Sequence, residues 1–257
     1  MTAMTQSATM LRRHLRHLVR YPSLIIATIA VPVVMLLLFS YIFGNTISAG
    51  VSGSAGHLDY IDYLVPGILL MTIASGALQT AVQIRSDMNE GIVDRFRTMP
   101  ISRTSVVTGH VFGSVIQNVV TVVLLVGVGL ALGFRPTAGL VEWLAVAGLT
   151  VLVSFAITWL AVALGLLAKT VEGASNTPMV LSFFLPFVST TFIPLASLPA
   201  GIRGFAEYQP YTPIIETLRG LLIGGPIGHY GWLAVGWGVV LTGLGYLWSK
   251  KLFSRRA

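Results

Sequence analysis

Side chains able to do chemistry are scarce in this 257-residue chain and sit in few places. It has 9 acidic residues, 16 Lys and Arg, 5 His and no Cys. Without Cys, thiolate catalysis, disulfides and cysteine metal sites are excluded. No HExxH, GxSxG or CxxC spacing occurs, so metalloprotease, serine-hydrolase and dithiol chemistry have no residues to use. Ala168-Lys169-Thr170 is a poor phosphate loop, because alanines stand at 163 and 168 where a nucleotide-cradling turn needs glycine. His110 reads as an interfacial histidine bonded to a carbonyl. The richest polar stretch is RSDMNEGIVDRFRTMPISR, residues 85–103. On a helical projection Asp87, Glu90 and Asp94 share one face with Arg97 beside them. Met88, Ile92, Phe96 and Met99 take the opposite face, and Pro100 ends the helix. Three of the nine acidic residues stand in this one segment. Opposed acidic and apolar stripes suit docking rather than catalysis: a short helix lying along a membrane surface, one face open to a soluble partner. A solvated charged loop is the alternative.

The elements around this segment follow from composition. The chain is 54% hydrophobic and 10% charged, with mean hydropathy +0.82, against about 25% charged residues in soluble domains. Apolar surface on that scale must face lipid. About 20 helical residues cross a hydrocarbon core of about 30 Å, and six segments qualify: 24–44, 63–84, 106–134, 143–168, 177–198 and 231–248. The fifth holds Pro178, Pro186 and Pro194, which predicts kinks and a protein-facing position. Lys and Arg set the orientation. Arg12, Arg13, Arg16, Arg20, Arg85, Arg95, Arg97, Arg103, Lys169, Lys250, Lys251, Arg255 and Arg256 fall on one side of a six-span path. Only Arg135, Arg203 and Arg219 fall on the other. Both termini are therefore expected inside, and topology accounts for the net charge of +7 without nucleic acid. The N-terminus reads as a retained first span rather than a cleaved signal.

Three further segments carry information beyond spanning. Residues 7–21 place Leu11, Leu15, Leu18 and Val19 opposite Arg12, Arg13, Arg16, His17 and Arg20, the pattern of an amphipathic helix in the cytoplasmic interface against anionic lipid; a plain basic flank is the alternative. Residues 199–229 are rich in Gly and Pro, yet Ile214, Ile215, Leu218 and Leu222 keep helical spacing. A re-entrant or interfacial helical hairpin on the outer side fits, with a lipid-lying loop as the alternative. Gly109 with Gly113, Gly129 with Gly133, and the glycines of the last span are expected at helix contacts. Polar residues within spans are few: Gln79, Gln83, Gln117, Asn118, Ser182, Ser189, Thr190 and Thr191. The lack of membrane carboxylates argues against ion-driven transport.

The stretch NEGIVDRFRTMPISRTSVVTGHV, with Glu90-Gly91, Asp94, Arg95, Met99, Pro100, Ser102 and Arg103, resembles the core motif of ABC-2 type transporter permeases, and more closely their daunorubicin/doxorubicin resistance branch. The resemblance implies an all-α polytopic membrane protein of six spans. It adds a connecting helix over residues 1–22 carrying Arg12, Arg13, Arg16 and Arg20, a coupling loop within 84–104, and an outer hairpin within 199–229, the membrane domain being 23–257. Asp87, Glu90, Gly91, Asp94, Arg95, Phe96, Arg97, Met99 and Pro100 would couple to a separate ABC ATP-binding subunit. This chain would hold no cofactor and no catalytic or metal site; ATP and magnesium would belong to that partner. A second permease copy, like or unlike, and membrane lipid complete the expected partners, in a bacterial inner or plasma membrane. Gln79, Phe183, Phe187 and Thr191 are candidate path residues for an amphipathic drug-like or lipid-like cargo. Export of a lipid-linked polysaccharide or teichoic-acid precursor stays open, as do a secondary carrier and a non-transporting scaffold.

Overall fold

The computed structural model describes residues 22–43, 60–89 and 103–255. These form helices and the turns between them, with no strand among them. α1 (Pro22–Leu38) runs into a π-helical turn, Phe39–Phe43. α2 (Tyr60–Asn89) and α3 (Arg103–Leu132) are 30 residues each. α4 is Leu140–Leu167 and α5 is Val171–Phe187. α6 (Ala200–Tyr208) and α7 (Tyr211–Ile223) form a helical pair, and α8 (Tyr230–Arg255) closes the chain.

Four of these are long and apolar enough to cross a membrane alone: α2, α3 from Thr108, α4, and α8 to Leu252. The first and fifth expected spans are shorter. α1 is 17 residues before its π turn. α5 begins earlier than the apolar run suggests and stops at Phe187 rather than continuing to Leu198. Its start is set by Thr170, whose hydroxyl accepts the Gly173 N–H at 3.1 Å, a side-chain N-cap. Its end is set by competing local bonds. Ser189 Oγ donates to the Pro186 carbonyl at 2.7 Å and accepts the Thr191 N–H at 3.2 Å, giving the backbone an alternative to the helix ladder.

α2 is the hub. In its most apolar 18-residue window 89% of residues are buried, against 17% for α8, and it touches α1, α3, α4, α5 and α7. Lipid is as apolar as leucine, so helices associate here through close packing. Small residues permit it. A Cβ on Gly165 of α4 would stand 2.6 Å from the Ala81 carbonyl oxygen of α2. One on Gly245 of α8 would stand 2.8 Å from the Trp159 and Leu160 backbone of α4. One on Gly238, two turns earlier, would meet the side chain of Leu152, 2.7 Å from its Cγ. The expected pair Gly129 and Gly133 works differently. Gly133 ends α3 at φ 111°, where the Phe134 N–H reaches the Gly129 carbonyl at 2.9 Å, the bond pattern of a helix C-cap. It terminates a helix rather than packing one.

The 133–139 turn and the α6–α7 pair share one end of the bundle, joined by Thr137 N–H to the Leu222 carbonyl at 2.9 Å. At the opposite end lie Asn89, Arg103 and Lys169.

Candidate functional site

At the hairpin end, the break after α5 leaves a run of carbonyls without helical partners, and side chains from two other elements take them up. From α2, the Tyr60 hydroxyl donates to the Phe192 carbonyl and the Tyr63 hydroxyl to that of Thr190, each at 3.0 Å. From the hairpin, Gln209 Nε2 donates to the Leu185 and Val188 carbonyls at 3.2 and 3.1 Å. Arg219 of α7 completes the set. Its Nη2 donates to the Thr190 carbonyl at 2.8 Å and the Tyr63 carbonyl at 3.2 Å, its guanidinium stacks 3.7 Å over the Tyr63 ring, and Nη1 pairs with Glu216. One cation thus ties together α2, the broken end of α5 and α7. α7 itself is no lipid-lying loop: Tyr211, Ile214, Ile215, Leu218 and Leu222 are buried in the bundle, the face that their spacing predicts.

Two carboxylates belong to this end: Asp62, whose burial departs from the expectation of no buried carboxylate, and Glu216 of the hairpin, outside the expected spans. Asp62, in the first turn of α2, is buried and accepts the Arg135 N–H at 2.9 Å. Glu216 is held by Arg219. Both are engaged by donors, so neither reads as a bare coupling group.

At the opposite end α2 extends to Asn89, five residues further than its apolar run, and takes in Asp87. The Asp87 carboxylate meets His110 Nε2 of α3 at 3.0 Å, so His110 is paired with a carboxylate rather than a carbonyl. Two residues earlier, Arg85 donates to the Lys169 carbonyl at 2.7 Å. The base of α2 is therefore tied to α3 and to the α4–α5 turn, directly where the 90–102 segment leaves it. Glu90, Gly91, Asp94, Arg95, Phe96, Arg97, Met99 and Pro100 lie outside the described residues, as do Arg12, Arg13, Arg16 and Arg20.

The four candidate path residues are not brought together. Gln79 is exposed on α2, and Thr191 is fully buried against Gly67, where an added Cβ would stand 2.9 Å from the Thr191 Cα. Phe183 packs on the main core. Phe187 is half exposed and lies 5.0 Å from Phe192, which stacks on Phe39 at 4.3 Å. None of the four lines the bundle's apolar cavity, a partly open space of ≈ 150 Å³ among α2, α4, α5, α7 and α8. Between α2 and α3 a polar seam crosses the membrane layer: Thr80 donates to Ser114 at 2.7 Å, and Asn118 rests on Gly76. Both amide atoms of Asn118 are buried without a hydrogen-bond partner among the described residues. No cluster of His, Cys, Asp and Glu suited to a metal occurs among those residues.

Arg219, Tyr60, Tyr63 and Gln209 are the residues that sequence reasoning missed. One signal was available: Arg219 and Glu216 stand i, i+3 inside an otherwise apolar helical run, where an unpaired charge is costly.

The arrangement among the described residues is that of a helix bundle tied at both ends, and its sequence is similar to those of known proteins. The model of the ABC-2 type transporter family matches residues 5–223. The chain is 26% identical over 223 residues to the daunorubicin resistance ABC transporter permease protein DrrB1 of Streptomyces coeruleorubidus, covering 87% of this chain and 77% of that protein. It is 28% identical over 206 residues to the probable doxorubicin resistance ABC transporter permease protein DrrC of Mycobacterium tuberculosis, covering 79% and 71%. It is 23% identical over 201 residues to the inner membrane transport permease YadH of Escherichia coli, covering 78% and 77%. With the match spanning α1 to α7 and the helices long enough to cross a bilayer, this multi-pass membrane protein belongs to the ABC-2 type transporter family.

Proposed function

We propose that this permease forms the membrane path of an ATP-driven exporter of amphipathic, drug-like or lipid-like compounds, powered by a separate ATP-binding chain. The carrying observation is the match to the ABC-2 family over residues 5–223, with relatives named for daunorubicin and doxorubicin resistance. The 90–102 segment is the coupling element, its acidic face (Glu90, Asp94) seated on the ATP-binding partner, with residues 1–22 riding beside it. Both termini face the cytoplasm, where thirteen of the sixteen Lys and Arg gather. Two permease copies and two ATP-binding chains make the working unit, with ATP and magnesium on the latter.

The mechanism is mechanical. Closure of the ATP-binding chains displaces the coupling segments. The rigid base of α2, held by Asp87–His110 and Arg85–Lys169, carries that displacement along a helix about 45 Å long. At its other end α2 meets Arg219 and the hairpin, so a push at one surface arrives at the other.

The test is co-purification of a cognate ATP-binding chain with wild type and with the E90K/D94K double variant. Loss of association, with the variant still inserted, supports the reading. Unchanged association and unchanged stimulated hydrolysis would mean that this segment is not the docking element. Transport that survives ATP depletion and collapses with the ion gradient would make the protein a secondary carrier.

A further inference from the structure

We infer that the apolar cavity among α2, α4, α5 and α7 is a binding site for the acyl chain of a bilayer lipid, held within a single permease subunit. The inference needs only that the bundle sits in a membrane; it stands apart from the coupling reading and from the identity of the cargo.

The lining determines the chemistry. Ala74 and Ala77 of α2, Ala161 of α4, Pro178 of α5, and Tyr211 and Ile214 of α7 contribute to it, and none of the lining side chains carries a charge. A headgroup or an ionised drug would lose its hydration there without a compensating partner. Apart from Ser182 and the Tyr211 hydroxyl the wall is apolar, and apolar cavities of this size accept small hydrocarbons. The occupant is therefore an uncharged hydrocarbon group.

Depth then chooses among hydrocarbons. Ala74 and Ala77 lie within three residues of the middle of the 30-residue α2, hence within about 5 Å of its centre along the axis. In a hydrocarbon layer of about 30 Å, that is where acyl chains end, while headgroups remain at the surfaces. Size argues against the cargo itself. Sites for drug-sized ligands run from about 300 to 1,000 Å³, whereas this cavity is ≈ 150 Å³. It is also only partly open, so a chain inserts its end rather than passing through.

The position has a consequence. Pro210, Tyr211 and Ile214 form the hairpin's share of the wall, and α7 also carries Arg219. A chain end in the cavity therefore packs beneath the same helix that the Arg219 tie holds from the other side. Ala77 and Ala161 lie one turn from the Ala81–Gly165 contact, where α2 and α4 touch backbone to backbone. Ala77 and Ala161 are buried in one cluster with Ala81, so a larger side chain at either position fills the cavity from the edge of that contact.

The experiment uses the full chain in nanodiscs of phosphatidylglycerol, spiked with either of two photoreactive phosphatidylglycerols. One carries the diazirine at the acyl terminus, the other beside the glycerol. Cross-linked peptides are mapped in wild type, in A161F and A77L, which fill the cavity from two helices, and in V239F on the exposed face of α8. The expected result is labelling of 178–185 and 210–214 by the chain-terminal probe only, reduced at least fivefold in A161F or A77L and unchanged in V239F. Should both filled variants fail to fold, the wild-type contrast between the two probes still decides. Labelling of these segments by the glycerol probe, or by neither, overturns the proposal. So does loss of labelling on adding doxorubicin, which would assign the cavity to cargo. Normal lipid labelling with E90K/D94K uncoupled, or the reverse, separates this inference from the proposed function.

Discussion

Replacing Arg219 by Met keeps the length of the side chain and removes its charge, which isolates what the cation does for the hairpin. Arg219 makes two bonds to carbonyls, at 2.8 and 3.2 Å, an ion pair with Glu216 and a 3.7 Å stack on Tyr63. Hydrogen bonds to charged groups contribute about 1.5–3 kcal/mol each, and the stack about 0.5–2 kcal/mol. The cost of desolvating the guanidinium, whose side chain is only 11% exposed, offsets much of that sum. A fully buried pair that loses one member costs about 3–5 kcal/mol; with the Glu216 side chain 24% exposed, the loss here falls at the lower end, about 3 kcal/mol. For a chain of this size 1 kcal/mol moves the melting point by about 2–4 °C, so R219M should lower Tm by roughly 10 °C. Intrinsic tryptophan fluorescence during heating in detergent reads this directly. The R219M/E216Q double variant should melt above R219M alone, since it also removes the stranded carboxylate. R219K should fall between, because an ammonium cannot offer the planar fork. A Tm for R219M within a degree or so of wild type, or strictly additive losses in the double variant, would refute the reasoning.

Three further outcomes follow from the same contacts. G67A places a Cβ 2.7 Å from Thr191 Cγ2 and 2.9 Å from its Cα; forcing α2 from the α5 break should cost about 1–3 kcal/mol, read as a lower Tm in the same assay. N118L replaces an amide whose two polar atoms lack hydrogen-bond partners among the described residues with an apolar side chain of similar size. An unmade buried bond costs about 1–3 kcal/mol, so Tm should rise by several degrees; a fall of that size would mean that the amide is satisfied. D87N should leave the ATP-binding chain bound but weaken stimulated hydrolysis severalfold, with H110Q matching it, because Asp87 faces His110. If D87N instead releases the ATP-binding chain while H110Q does not, Asp87 is a docking residue.

Much of the helical layout was legible from local pattern. The third and fourth spans were expected at 106–134 and 143–168 and lie at 103–132 and 140–167, because long uninterrupted apolar runs have only one way to satisfy their backbone in lipid. The buried face of α7 was equally readable from Ile214, Ile215, Leu218 and Leu222. The fifth span was not. Hydropathy sees Ser189 to Leu198 as membrane material, but their hydroxyls and Pro194 turn the chain, and Tyr60, Tyr63, Gln209 and Arg219 arrive from elsewhere to bond the carbonyls of this break. The glycines show the same division. Composition marks them as packing material, yet only the assembled bundle assigns Gly165 and Gly245 to backbone contacts and Gly133 to a helix end.

By itself, the sequence determined that this is a helical membrane protein with a polar cytoplasmic-type segment after its second span, and the residues of that segment already pointed to the ABC-2 family. These are properties of one helix or loop at a time, decided by hydrophobic length, charge and helical periodicity. Tertiary structure alone decided that Asp87 pairs with His110, that Arg219 clamps three elements, and that a cavity opens where alanines of α2 and α4 face a proline of α5. Each depends on residues 23 to 156 positions apart meeting at one point. No periodicity along the chain encodes such a meeting, because it is set by how whole helices pack.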